Sequence, residues 1–287
     1  MDKASSGWIN GFIGIVIFAG SLPATRAAVI DFDPTFLTCA RATIAALLGL
    51  MLLLAFRQRR PDFEDVPSLA LVALGVVVGF PLLSALALQY VSSTHSIVFV
   101  GLLPLCTAVF GVLRGGERPQ PAFWLFSMLG SGLVVGYAML GEVERSLQGD
   151  LLMLAAIVVC GLGYAEGARL SRKIGGWQII SWALVLSLPV MLPIALLTMP
   201  TSFDDVKAPA WFGFAYVSLF SMLIGFVFWY RGLAQGGIVA VGQLQLLQPF
   251  LGLGLATLFL HETVNGMMLF VTFGAVVCVA GAKRFAS

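Results

Sequence analysis

Ten predominantly apolar runs follow one another along the chain, at residues 8–29, 34–56, 67–90, 94–113, 119–140, 149–170, 176–199, 209–233, 238–260 and 263–281. Each is about 20 residues long, the length at which a helix rising ~1.5 Å per residue crosses the hydrocarbon core of a bilayer. The polar intervals between them are short, and the longest, 57–67, cannot hold a folded domain. The pattern predicts an all-α membrane protein of ten transmembrane helices, with any function carried out inside the membrane. The first run is too long for a signal peptide and Lys3 makes only a weak basic flank, so it is read as mature structure.

Composition agrees with this reading. The chain is 59% hydrophobic and 10% charged, against about 25% charged in soluble domains. A net charge of +2 is too small to suggest nucleic acid, and the distribution of charge says more than its sum. Of the sixteen Lys and Arg, twelve fall on the side of the predicted spans that holds both termini. Three, Arg26, Arg145 and Lys207, fall on the other side, and Arg41 lies within a span. The positive-inside bias therefore puts both termini in the cytoplasm, as an even number of spans requires. Cys39, Cys106, Cys160 and Cys278 all lie in apolar runs without ligand spacing, so neither a disulfide nor a metal or other cofactor is expected.

The chain also repeats itself. Pro104 and Pro249 are 145 residues apart, as are Glu117 and Glu262, Leu88 and Leu233, and Gly136 and Gly281. A shared offset near half the length indicates a duplicated unit, with halves at 1–142 and 143–287. Five spans per half is an odd number, so the second half enters the membrane inverted relative to the first. Inverted repeats are a common architecture of secondary transporters, whose cargo site lies near the midplane between them.

Candidate chemistry follows from the polar and broken positions inside the spans. Pro104 and Pro249 lie near mid-span, where each removes a helix hydrogen bond and frees the carbonyl four residues back, at Val100 and Gln245. A freed carbonyl in lipid needs a neighbour or a water-lined cavity, so the two prolines are candidates for a helix break or gate, with a packing kink as the alternative. Gln243, Gln245 and Gln248 form an unusual density of amides in one span. In an α-helix Gln245 and Gln248 share a face, whereas Gln243 and Gln245 point about 200° apart, so at least one amide serves as interhelical glue. Gln243 and Gln245 are the amides assigned to a cavity, where an amide can donate to a carboxylate and accept from an ammonium. His95 and the aromatic residues Phe80, Phe99 and Tyr164 complete the candidate cargo site, with core packing as the plainer role of each. Arg41 is read as a structural arginine tied to carbonyls or polar side chains, with a cargo-carboxylate ligand as the alternative. Glu117 and Glu262 precede the fifth and tenth runs and are read as helix-start elements. Glu166 can pair with Arg169 at i+3. Trp8, Trp177, Trp211, Trp229 and Tyr230 lie near span ends, where an aromatic belt is expected.

No Walker A, HExxH or GxSxG sequence occurs, so no ATP site or hydrolytic set is visible. No carboxylate sits securely at mid-membrane, which favours facilitated diffusion or exchange over proton coupling.

The proline and glutamate pattern, repeated as Pro104/Glu117 and Pro249/Glu262, resembles the EamA repeat of the drug/metabolite transporter superfamily. The approach to each proline, ALQYVSSTHSIVFVGLLP in the first half and GLAQGGIVAVGQLQLLQP in the second, is similar to that family's junctions before the fourth and ninth spans. Phe18–Ala19–Gly20 stands where the family usually has Trp-Gly. The resemblance covers essentially the whole chain. It implies a non-enzymatic exporter in the bacterial cytoplasmic membrane, with aromatic and other neutral amino acids as the foremost cargo. A multidrug or other metabolite exporter and a membrane-embedded lipid-modifying enzyme are the alternatives. A phosphorylated cargo would call for several cationic side chains in the cavity, and only Arg41 is intramembrane. The expected partners are a small-molecule cargo and the bilayer, without nucleic acid or ATP, and the sequence permits a homo-oligomer.

Overall fold

The computed structural model describes residues 3–91, 96, 99–139, 146–252 and 266–286. All regular structure among these residues is helical. In chain order the helical runs are α1 (Ser5–Ala28), α2 (Pro34–Ala55), α3 (Phe63–Ala87), α4 (Leu103–Gly115), α5 (Pro121–Tyr137), α6 (Leu147–Ser171), α7 (Gly176–Leu197), α8 (Ala208–Gly236), α9 (Ile238–Gly252) and α10 (Gly266–Arg284). Six of them, α1, α2, α3, α6, α7 and α8, are long and apolar enough to cross a membrane. His95 and Glu262 lie outside the described residues.

Local chemistry explains where the helices start. Asp33 accepts the N–H groups of Thr35 and Phe36 at 2.8 and 2.9 Å and is followed by Pro34, a residue suited to a first helical turn. Ser146 does the same for α6, accepting the Gly149 N–H at 3.2 Å.

Close approach of small residues sets the pairing. Gly7, Gly11 and Gly14 ascend α1 while Gly236, Gly232 and Trp229 descend α8, so the two helices are antiparallel and nearly touch backbone to backbone. A Cβ added to Gly232 would stand 2.5 Å from the Gly11 nitrogen. In the same way α3 runs antiparallel to α6, with an added Cβ at Gly75 only 2.9 Å from Gly163 Cα. Gly49 of α2 meets Ser181 of α7, and Gly130 of α5 meets Cys278 of α10. Lys283 sits 4.4 Å over the Trp8 ring, so the end of α10 lies beside the start of α1.

The α1–α8 seam corrects one expectation. Trp229 and Tyr230 are fully buried rather than members of an interfacial belt. The reason is that α8 continues to Gly236, which carries both rings inside the bundle, where Trp229 faces Gly14 and the Tyr230 hydroxyl donates to the Gly163 carbonyl at 3.1 Å.

Three departures from regular α geometry, in α3, α8 and α1, bear on the site. Residues Ala73–Gly79 of α3 and Val217–Ile224 of α8 widen into π-helix. In α3 the Phe80 N–H reaches back five residues to the Gly75 carbonyl, and in α8 the Gly225 N–H reaches the Phe220 carbonyl. These two bonds are related by the same offset of 145 residues as the prolines. Pro81, which has no N–H, follows the first bulge directly. Such bulges are found preferentially at functional sites. The third departure is in α1, which breaks at Gly20, three residues before Pro23.

Candidate functional site

The three irregular segments converge on one small cavity near the middle of the bundle, with a volume of about 20 Å³. That is room for roughly one water molecule, so cargo can be held only if the surrounding helices separate. Val76 and Ser221, from the two π segments, form part of its wall, as do Leu103 and Gln248, the residues immediately before Pro104 and Pro249. Each of these pairs is again 145 residues apart.

Part of the cavity wall is aromatic. Phe18, Tyr164, Phe226 and Phe80 line it. The first three form a cluster, with centroids 6.3 Å apart for Phe18–Tyr164, 5.0 Å for Phe18–Phe226 and 5.9 Å for Tyr164–Phe226. The polar groups are Ser21, Ser221, Gln248 and Arg41. Ser21 and Ser221 bind one another through their hydroxyls at 2.8 Å, joining α1 to α8. The break at Gly20 frees carbonyls of α1, and side chains supply the donors: Tyr216 Oη donates to Ile17 O at 2.6 Å and Gln248 Nε2 to Phe18 O at 3.3 Å. Gln248 Oε1 is buried and has no partner among the described residues.

Arg41 is only 5% exposed, and among the described residues it makes no ion pair or hydrogen bond; its Nε is buried and unpartnered. Among the described residues it has none of the carbonyl or side-chain partners that a structural arginine would have. Asp33, the acidic residue at the start of the same helix, is occupied with its own helix cap.

The sequence-derived candidates divide. Phe80 and Tyr164 line the cavity, whereas Phe99 is half-buried and does not. Gln243 and Gln245 are fully buried but do not line it either; Gln248 does. The 3₁₀ segment at Gln243–Leu247 does not separate the two amides, since residues three apart eclipse in that geometry; their neighbours do, α4 meeting Gln245 and the broken α1 meeting Gln248. Gln245 Nε2 instead donates to Thr107 Oγ1 at 3.1 Å and Gly242 O at 2.9 Å, tying α9 to α4 as interhelical glue. Pro104 occupies the first turn of α4, just after a turn at residues 101–102, and Pro249 follows the 3₁₀ segment, so each stands beside a helix irregularity. Composition gave no reason to pick out Ser21, Ser221 or Phe226. The signal available for Gln248 was its position before Pro249, matched by Leu103 before Pro104.

The end of the bundle near the N-terminus is laced by ion pairs. Glu166, fully buried, accepts from Arg114 Nε at 2.8 Å and Arg169 Nη2 at 2.5 Å, and Arg169 also donates to Ser68 Oγ at 2.8 Å. Lys173 reaches Asp65 at 2.7 Å and Asp62 at 3.0 Å, and these hydrogen bonds raise its pKa above the usual ammonium value. Glu117 is a helix-start element, but of a different helix from the one expected. Its Oε1 and Oε2 accept the N–H groups of Ile238 and Val239 at 2.9 and 2.7 Å, capping α9 rather than α5, and Arg172 pairs with it at 2.5 Å.

The sequence model of the EamA-like transporter family matches residues 5–139 and again 147–282. This chain belongs to the EamA-like transporter family. It is therefore a transporter, of the multi-pass membrane type that its long apolar helices indicate. Among its relatives, "Uncharacterized transporter YdeK" of Bacillus subtilis (strain 168) is 65% identical over 286 residues, covering 100% of both chains. A more distant one, "Probable terminal-alkyne amino-acid exporter" of Streptantibioticus cattleyicolor, is 22% identical and covers 93% of this chain and 89% of its own. A solved structure described as "Crystal structure of protein" shares the fold, with a TM-score of 0.78 at 20% identity over 98% of each chain.

Proposed function

We propose that this EamA-family transporter exports small neutral metabolites, foremost aromatic and other neutral amino acids, across the bacterial cytoplasmic membrane by alternating access at the central cavity. The observation that carries this reading is the cavity itself, whose lining combines aromatic rings with hydroxyl, amide and guanidinium groups. An amino acid with an apolar side chain has the same division of chemistry. A relative described as a probable amino-acid exporter adds support.

The architecture that suits this function is ten spans in two inverted halves, 1–142 and 143–287. It is supported by the common offset of the prolines, the two π-helical bonds and the paired cavity residues Val76/Ser221 and Leu103/Gln248. The excess of Lys and Arg on one side supports cytoplasmic termini. Among the described residues no Asp or Glu lines the cavity, which supports facilitated export or exchange over proton coupling.

The test is uptake of radiolabelled amino acids into proteoliposomes holding the purified protein, with competition by the other amino acids. Saturable uptake of phenylalanine, unchanged on recovery from the vesicles, is expected. Movement of phosphorylated or cationic compounds alone, or recovery of an altered product, would overturn the reading.

A further inference from the structure

We infer that Arg41 and Gln248 together recognise the two charged ends of an α-amino acid, Arg41 holding its carboxylate and Gln248 Oε1 accepting from its ammonium. The inference rests on the amino-acid reading of the cavity and adds to it the residues that select the zwitterion. Two observations point to a ligand. Arg41 lies on α2, is 95% removed from solvent (5% exposed), and has neither an acidic partner nor a hydrogen bond among the described residues. A guanidinium carries five donors in a planar fork that matches a carboxylate, and leaving it unpaired at membrane depth is costly. In the wall of the same cavity Gln248 donates an amide N–H to the Phe18 carbonyl, which orients the amide and leaves Oε1 as a buried acceptor with no donor among the described residues.

The arrangement is selective. One fixed positive charge and no fixed negative charge suit a cargo bearing a single carboxylate, not a cation and not a phosphate of higher charge. The acceptor asks for an N–H donor on the same cargo. The aromatic residues of the wall then receive the side chain. Ser21 and Ser221 already satisfy one another, so they add little to the recognition of charge.

The experiment compares three probes in proteoliposomes: L-phenylalanine, L-phenylalaninamide, which lacks the carboxylate, and N-acetyl-L-phenylalanine, which lacks the ammonium. The wild-type protein is expected to prefer phenylalanine to either analogue by about tenfold or more, as a site built to hydrogen-bond a group discriminates against its absence. Arg41→Met should abolish the preference over the amide while retaining that over the acetylated form, and Gln248→Leu should do the reverse. Arg41→Lys, which keeps the charge but loses the fork, should keep part of the preference, and it decides the matter if Arg41→Met does not fold. Thermal shift of the detergent-solubilised wild-type protein gives an independent reading: phenylalanine should raise the melting temperature more than either analogue. If folded Arg41→Met, or folded Arg41→Lys in its place, keeps the full wild-type preference over the amide, the role of Arg41 is overturned while amino-acid export stands. If the wild-type protein moves none of the three and is stabilised by none, the export reading falls, and this assignment with it.

Discussion

Glu117 caps a helix that begins 121 residues later in the chain: its carboxylate holds the Ile238 N–H at 2.9 Å and the adjacent Val239 N–H at 2.7 Å. The bond ties the loop after α4 to the start of α9. Arg172, at the end of α6, completes the contact from a third element. Gln at this position keeps the shape but offers a single neutral acceptor oxygen, so Glu117→Gln should destabilise the folded protein by about 1–3 kcal/mol. Arg172 is half-exposed, and Arg172→Gln should cost no more than about 1 kcal/mol. Melting curves in detergent check both, and equal melting of Glu117→Gln and wild type would remove the cap as a stabilising element.

Gln245 and Gln248 of α9 should separate stability from transport. Gln245→Leu removes the bridge to Thr107 and should lower stability by about 1 kcal/mol while leaving transport per folded molecule near normal. Gln248→Leu should reduce transport roughly ten- to a hundredfold, the scale of a lost polar contact to cargo, with expression retained. Uptake normalised to folded protein is the measurement, and the opposite ranking would move the site from Gln248 to Gln245.

Alanine substitution should have opposite signs at two helical glycines. Gly232→Ala forces a Cβ to within 2.5 Å of α1 backbone and should destabilise by about 1–3 kcal/mol. Gly132 of α5 has nothing within 4 Å of an added Cβ, so Gly132→Ala should stabilise, by up to about 1 kcal/mol through helix propensity. Thermal denaturation of the two variants tests whether the α1–α8 contact is as close as described.

The proposed orientation is checked by labelling. Single cysteines at Ser146 and Thr201 should react with an impermeant thiol reagent added outside intact cells, and one at Gln58 should react only after permeabilisation. External labelling of Gln58 would invert the topology and, with it, the inference from the Lys and Arg distribution.

What the sequence determined by itself follows from short-range physics. The length and apolarity of each run are enough to make long helices suited to a bilayer, because in lipid the backbone must satisfy its own hydrogen bonds. The offset of 145 between Pro104 and Pro249 could be read directly, and the same offset relates the two π-helical bonds. The chemistry of Glu117 was legible as a carboxylate near a helix start, and the pairing of Glu166 with Arg169 as neighbours on one helix face. Only the tertiary structure decided which helix Glu117 caps, because the N–H groups it meets are brought to it by folding rather than by sequence proximity. The same holds for the amides: the choice between Gln245 and Gln248 depended on which neighbour each meets, Thr107 of α4 or the Phe18 carbonyl of α1, which residue spacing does not encode. It holds also for Trp229 and Tyr230, buried by glycine faces on α1 and α6 that lie far away in the chain. Arg41 is the sharpest case, since a sequence can place a charge within a span but only packing reveals whether any neighbour is close enough to neutralise it.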